Sequence, residues 1–120
     1  RHAIDMGSTE VINIKLARVG GLYNAKKIHD YCHEHNVPVW CGGMVESAIG
    51  QSHAIALASL PNFTLPADIA PSERYFKEDF IKPFIVLDKG QVQVSKKIGL
   101  GYDVDYNMLE RLTLEKAIIR

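Results

Sequence analysis

The stretch Glu10–Gly43, EVINIKLARVGGLYNAKKIHDYCHEHNVPVWCGG, reads as strand, loop, helix, strand and glycine loop, and that order decides the fold. Glu10-Val-Ile-Asn-Ile-Lys15 is a short β-branched run of the kind that fills a buried strand. Arg18-Val-Gly-Gly21 follows as a glycine-marked loop. From Leu22 to about His35, Leu22, Ala25, Ile28 and Cys32 recur at helical spacing and define an amphipathic helix. Asn36 suits the left-handed position at its end, and Pro38 blocks continuation. Val39-Trp40-Cys41 is the second strand, closed by Gly42 and Gly43. Short loops around a helix between two strands imply parallel strands and a right-handed crossover.

Working downstream, Ser47 is a plausible N-cap for a helix to about Ser59. Its stretch Ala54-Ile-Ala-Leu-Ala58 is apolar nearly all round, as for a helix packed on a sheet and covered by neighbours. Pro61 and Asn62 end it, and Phe63-Thr-Leu65 reads as a third strand. Pro66 to Pro83 reads as an extended connection. Phe84-Ile-Val-Leu-Asp88 and Gln91-Val-Gln-Val94 then flank Lys89-Gly90 as an antiparallel hairpin. Asp105 to Arg120 suggests one or two short helices. Upstream, Arg1 to Ser8 reads as the last turns of a helix with Gly7 just past its end. Three parallel strands with two crossover helices complete no closed unit and leave an unpaired edge, so the expectation is a fragment: an open flavodoxin-like sheet without its other strands, or a slice of a (β/α)8 barrel.

Composition narrows the function classes. Apolar residues are 47% and charged residues 23% of the 120, an ordinary globular balance. Fourteen basic residues offset fourteen acidic ones, which argues against a nucleic-acid partner. No apolar run approaches the roughly 18 residues of a spanning helix, so no membrane partner is expected. Cys32 and Cys41 make no disulfide framework, and a cytoplasmic setting is the default.

In a barrel, catalytic groups sit at the C-terminal ends of strands and in the loops that follow. Lys15 ends strand one, Gly42-Gly-Met-Val-Glu46 follows strand two and Pro66-Ala-Asp68 follows strand three, so these positions converge. Desolvation or a neighbouring cation lowers a lysine pKa towards the range of a general base, and Arg18 is such a cation. The plainer alternative has Lys15 snorkelling into water and Arg18 as a solvated loop residue. His29 and His33 are four apart, as metal ligands are, but lack a third ligand, which favours a solvated helix face. Cys32 and Cys41 read as core cysteines, and Trp40 and Phe63 as barrel or helix-interface packing.

Ile12-Asn-Ile-Lys15-Leu-Ala-Arg18-Val-Gly-Gly21 closely resembles the sixth-strand segment of the o-succinylbenzoate synthase / N-succinylamino acid racemase family of the enolase superfamily. Val37-Pro-Val-Trp-Cys-Gly-Gly-Met-Val-Glu-Ser47 resembles its seventh-strand motif. Pro61 to Ile69 with Arg74-Tyr75 resembles the eighth-strand region, and Gly99-Leu-Gly101 the C-terminal loop. Ala67 stands where that family usually has glycine.

The resemblance implies an α/β fold. Residues 1–82 would be strands six to eight, the C-terminal part of a (β/α)8 TIM barrel, and residues 83–120 a hairpin and helical segment returning to the capping domain. It implies an enzyme that forms an enediolate by removing the proton α to the carboxylate of a small substrate, with Mg²⁺ bound. The reaction would be the dehydration that makes o-succinylbenzoate in menaquinone biosynthesis, racemisation of N-succinylamino acids, or both. Lys15 would be the acid/base or electrostatic stabiliser from the sixth strand, and Arg18 its modulator. Gly42, Gly43 and Met44 would approach the substrate with their backbone, and Glu46 and Asp68 would be orienting carboxylates at the mouth. The second lysine and the metal ligands would precede Arg1, so this chain supplies no metal ligand and is expected to be inactive alone. Its partner would be the missing N-terminal half, in a homo-oligomeric parent. The rivals are another superfamily member, such as a dipeptide epimerase, and a non-catalytic half-barrel that needs a partner chain.

Overall fold

The computed structural model describes residues 1–119. The first helix, α1 (His2–Asp5), ends at Met6 with Gly7 left-handed at φ 65, as the opening residues predict. Strand β1 (Ile12–Ile14) pairs parallel with β2 (Val39–Cys41) in the register Ile12↔Val39, Asn13↔Trp40 and Ile14↔Cys41. Between them run a short helix α2 (Leu16–Val19) and the longer α3 (Leu22–Glu34). The segment read as a glycine loop from Arg18 to Gly21 is therefore partly helical. Gly20, at φ 79, closes that turn by donating its N–H to the Leu16 carbonyl.

Helix α3 stops as its sequence dictates: Asn36 is left-handed at φ 56 two residues before Pro38. Its buried face is Ala25, His29 and Cys32, spaced four and three apart. That stripe meets Ile14, Val39 and Cys41 from the sheet and Ala54 and Leu57 from α4 (Ala48–Ala58). Each fully buried aliphatic side chain of this kind contributes roughly 1.5–3 kcal/mol. The opposite side of α4, Ala48 and Ile55, packs against Ile81 and Ile85 in a second cluster. Helix α4 thus has apolar neighbours on two sides, which explains its unpatterned apolar sequence. Ser47 takes the N-cap position, yet its hydroxyl makes no capping hydrogen bond.

The third strand is shorter than its sequence suggests. Phe63-Thr-Leu65 forms only a parallel bridge, Val39↔Phe63, with the Val39 N–H donating to the Asn62 carbonyl. The connection from Pro66 to Pro83 contains a 3₁₀ turn at Ser72–Arg74 and the strand β3 (Ile81–Lys82), which pairs antiparallel with β6 (Asp103–Val104). The expected hairpin is present but trimmed to β4 (Leu87–Asp88) and β5 (Gln91–Val92). Lys89 and Gly90 between them both have positive φ, 47 and 81, the conformation that a two-residue type I′ turn requires. Of the expected C-terminal helices, α5 (Tyr106–Leu112) forms, capped by the Asp105 side chain. Arg120 lies outside the described residues.

Candidate functional site

Side chains alternate along a strand. With Ile14, Val39 and Cys41 buried towards the helices, Asn13, Lys15, Trp40 and Gly42 share the other face of the sheet. Lys15 keeps extended backbone (φ −113, ψ 116) one residue past β1, before α2 begins. Its half-buried side chain crosses to the next strand end, where the ammonium donates to the Gly43 carbonyl at 2.9 Å.

The glycines make this crossing possible. Gly42 is buried and continues the parallel ladder by donating its N–H to the Ile14 carbonyl at 3.0 Å. A Cβ on Gly42 would sit 2.8 Å from Lys15 Cε and 2.9 Å from Asn13 Nδ2. A Cβ on Gly43 would overlap the backbone carbonyl oxygen of Asp68. Asp68 in turn donates its N–H to the Cys41 carbonyl at 2.9 Å. The chain ends following three successive strand segments are therefore linked in a row, Lys15 to Gly43 and Gly43 to Asp68.

The remaining candidates divide. The exposed Met44 belongs to the loop after β2, and its N–H donates to Glu46 Oε2 at 2.7 Å. The Glu46 stem also leans towards Gly50, where a Cβ would come within 2.7 Å of Glu46 Cβ. Glu46 thus braces its own loop with one carboxylate oxygen. Burial pushes the Cys41 thiol up to about 11, with the Glu46 and Asp68 carboxylates adding to the shift, which places both acids around the end of β2. Arg18 is exposed in α2, and its backbone N–H donates to the Lys15 carbonyl at 3.1 Å. Its side chain makes no ion pair among the described residues.

Of the helix histidines, His33 is exposed as expected, but His29 is not. His29 is 4% exposed, stacked between His33 and Phe63, and its Nε2 accepts the Asn62 N–H at 3.2 Å. Its place on the Ala25–His29–Cys32 stripe was the signal for burial. Cys32 and Cys41 are free and buried, as read. Trp40 is half-buried beside Asn13. Asn13 itself is a site residue that the β-branched run concealed; its two-residue spacing from Lys15 is what places it on the same face.

No group of three or more His, Cys, Asp or Glu side chains able to hold a metal ion occurs among the described residues. With Glu46 engaged by its loop, the acids near Lys15 do not fit a divalent cation unaided. No helix among the described residues is long and apolar enough to cross a membrane.

The family described as enolase C-terminal domain-like matches residues 1–108. The o-succinylbenzoate synthase of Bacillus subtilis is 51% identical over 111 residues, covering 92% of this chain and 30% of the relative. An N-succinylamino acid racemase of Amycolatopsis is 45% identical over 117 residues, covering 98% of the chain and 32% of the relative. Among solved structures, an enolase-superfamily protein from Listeria innocua superposes with a TM-score of 0.85 at 43% identity, covering 92% of this chain and 30% of that one. A dipeptide epimerase from Cytophaga hutchinsonii, complexed with Mg and a dipeptide, gives 0.81 at 26% identity, covering 93% and 30%. The chain therefore spans about 30% of the length of the relatives it matches.

Proposed function

Because this chain belongs to the enolase C-terminal domain-like family, we propose that it is the C-terminal part of an o-succinylbenzoate synthase or N-succinylamino acid racemase, supplying one wall of the active site. In that reading residues 1–82 are barrel strands six to eight with their helices, and residues 83–120 return to the capping domain. The observation that carries it is Lys15: a half-buried ammonium on the open face of the sheet, anchored to Gly43 at the strand ends.

The substrate is a small carboxylate with an acidic α-proton. As a free amine, Lys15 takes that proton and becomes an ammonium, while the electron pair left on the α-carbon spreads into the carboxylate as an enediolate. Returning a proton from this face, after removal at the other face by a lysine outside the chain, completes racemisation. In the dehydration Lys15 remains an ammonium and stabilises the enediolate charge. Arg18 acts on Lys15 through its charge, one helical turn away. Gly42, Gly43 and Met44 bring backbone close to the substrate, and Glu46 and Asp68 orient the loops that do so. A divalent cation such as Mg²⁺, if held by residues outside this chain, would polarise the substrate carboxylate. Two free buried cysteines suit a reducing, cytoplasmic setting.

The test is made in a full-length enzyme, with residues 1–120 joined in register to the N-terminal part of the Bacillus subtilis synthase. With Mg²⁺ it is expected to form o-succinylbenzoate or to exchange the α-proton of N-succinylamino acids into D₂O, and Lys15→Ala is expected to remove both. A cooperatively folded assembly with neither activity, or a fully active Lys15→Ala variant, would overturn the reading. Exchange on dipeptides alone would move the chain to the dipeptide epimerases, whose Cytophaga member it resembles at 26% identity.

A further inference from the structure

Asn13 stands two residues before Lys15 on the same face of β1, opposite Trp40 in the parallel register. It is exposed there and makes no side-chain hydrogen bond among the described residues, an unusual choice within a β-branched strand. The vacant Cβ position of Gly42 shows what surrounds it: Asn13 Oδ1, Asn13 Nδ2 at 2.9 Å and Lys15 Cε at 2.8 Å all close on that one point. The amide of Asn13 and the far end of the Lys15 stem therefore lie together over the Gly42 backbone, in space that any side chain at 42 would fill.

We infer that Asn13 is a positioning residue: with the bare backbone of Gly42 it forms a socket for the Lys15 stem and delivers the ammonium to the Gly43 carbonyl at the strand ends. The inference rests on the reading of Lys15 as the proton-transfer residue. A four-carbon lysine stem has many rotamers, and a base must be held within about 0.5 Å of its productive place. The hydrogen bond to Gly43 fixes only the tip. The Asn13 amide and the bare Gly42 backbone, which close with Lys15 Cε on one point, confine the stem on the open face of the sheet. An amide suits this position because it packs its flat face on an aliphatic stem without adding a charge beside the ammonium.

The experiment uses the full-length assembly described above, with α-proton exchange measured against pH and substrate concentration. Asn13→Ala is expected to lower kcat about tenfold with KM within about twofold and an unchanged melting temperature, since the exposed amide supports little structure. Asn13→Asp keeps the shape and adds a charge beside the stem. It is expected to retain kcat within about threefold while the limb of the pH–rate profile that follows Lys15 moves to higher pH, because an opposite charge favours the ammonium. Arg18, Glu46 and Asp68, the other charged groups at these strand ends, are the same in both variants. A kcat within twofold of the parent in Asn13→Ala, together with an unmoved pH profile in Asn13→Asp, would overturn the inference. Should Asn13→Ala fail to fold, the pH profile of Asn13→Asp decides it alone. If Lys15→Ala keeps its exchange, the functional reading itself has failed; if only the Asn13 variants behave as the parent, the socket alone has failed.

Discussion

Lys15 and Gly43, 28 positions apart in the sequence, are joined by a hydrogen bond of 2.9 Å from ammonium to backbone carbonyl. That contact ties the end of one parallel strand to the loop after the next. It also makes the two neighbouring glycines unequal.

Gly42→Ala and Gly43→Ala are expected to fail in different ways. A methyl group at 42 meets the far ends of flexible side chains, Lys15 and Asn13, which can swing aside. Stability should then change by less than about 1 kcal/mol, while displacement of Lys15 lowers α-proton exchange about a hundredfold. A methyl group at 43 meets the Asp68 backbone, which cannot yield without parting two strand ends. That variant should lose about 1–3 kcal/mol or more in urea unfolding. Equal stability losses in the two variants would show that the Lys15 stem is not free to move.

The buried His29 should matter for stability and not for chemistry. A backbone N–H can only donate, so the contact from Asn62 makes Nε2 the acceptor and leaves the ring proton on Nδ1, 3.0 Å from Asp30 Oδ1. Through Asn62 this ring holds the turn that precedes the Val39↔Phe63 bridge, and Asn62 Nδ2 donates to the Val37 carbonyl at 2.9 Å. His29→Ala leaves the Asn62 N–H without a partner beside a cavity, at an expected cost of roughly 2–4 kcal/mol. Urea unfolding measures it, and exchange activity below the midpoint should stay within about twofold of the parent. His29→Gln, which keeps an acceptor, should lose less.

The cysteines give a prediction in alkali. Burial, then the Glu46 and Asp68 carboxylates, raise the folded Cys41 thiol from its ordinary 9.0 to about 11. Burial pushes Cys32 in the same direction. Below about pH 9 both folded and unfolded states keep the Cys41 proton, and this contribution to stability is whole. As pH rises from about 9 to about 11 the unfolded thiol ionises first, and the folded state loses up to roughly 3 kcal/mol. Lysines and tyrosines titrate in the same window, so the quantity to measure is the difference from Cys41→Ala, whose stability should fall less steeply there. Neither thiol should react with an alkylating reagent at pH 7 before unfolding.

What the sequence made legible is what short-range chemistry controls. Asn36 before Pro38 ends α3, Gly7 ends α1, and Lys89-Gly90 turns the hairpin, because each conformation belongs to one or two residues. The strand lengths were overread for a different reason. Phe63-Thr-Leu65 has strand-forming residues, but a strand consists of pairing, and Phe63 alone finds a partner in Val39. The site was legible where a strand end is announced by a lysine or by paired glycines. Asn13 escaped notice because its meaning is relational: only its alignment with Lys15 over Gly42 gives it a place. His29 was misread because a polar residue on an apolar stripe looks like solvent until Asn62, 33 positions away, offers its N–H.

Arg18 separates electrostatics from structure. The Arg18 side chain is exposed and has no ion pair among the described residues, so Arg18→Gln should leave the melting temperature unchanged within about 0.5 kcal/mol of stability. Its backbone N–H nevertheless rests on the Lys15 carbonyl, which fixes the two residues one turn apart. A unit charge at such a distance in a partly wet site is worth about 1 kcal/mol, or about fivefold in a proton-transfer rate. Removing it is therefore expected to lower exchange by about that factor. Because an exposed charge is screened within roughly 10 Å at 0.1 M salt, the gap between parent and variant should narrow as salt rises towards 1 M. A gap of the same size at every salt concentration would mean that Arg18 touches the substrate or shapes the α2 turn, and that its charge is not what acts on Lys15.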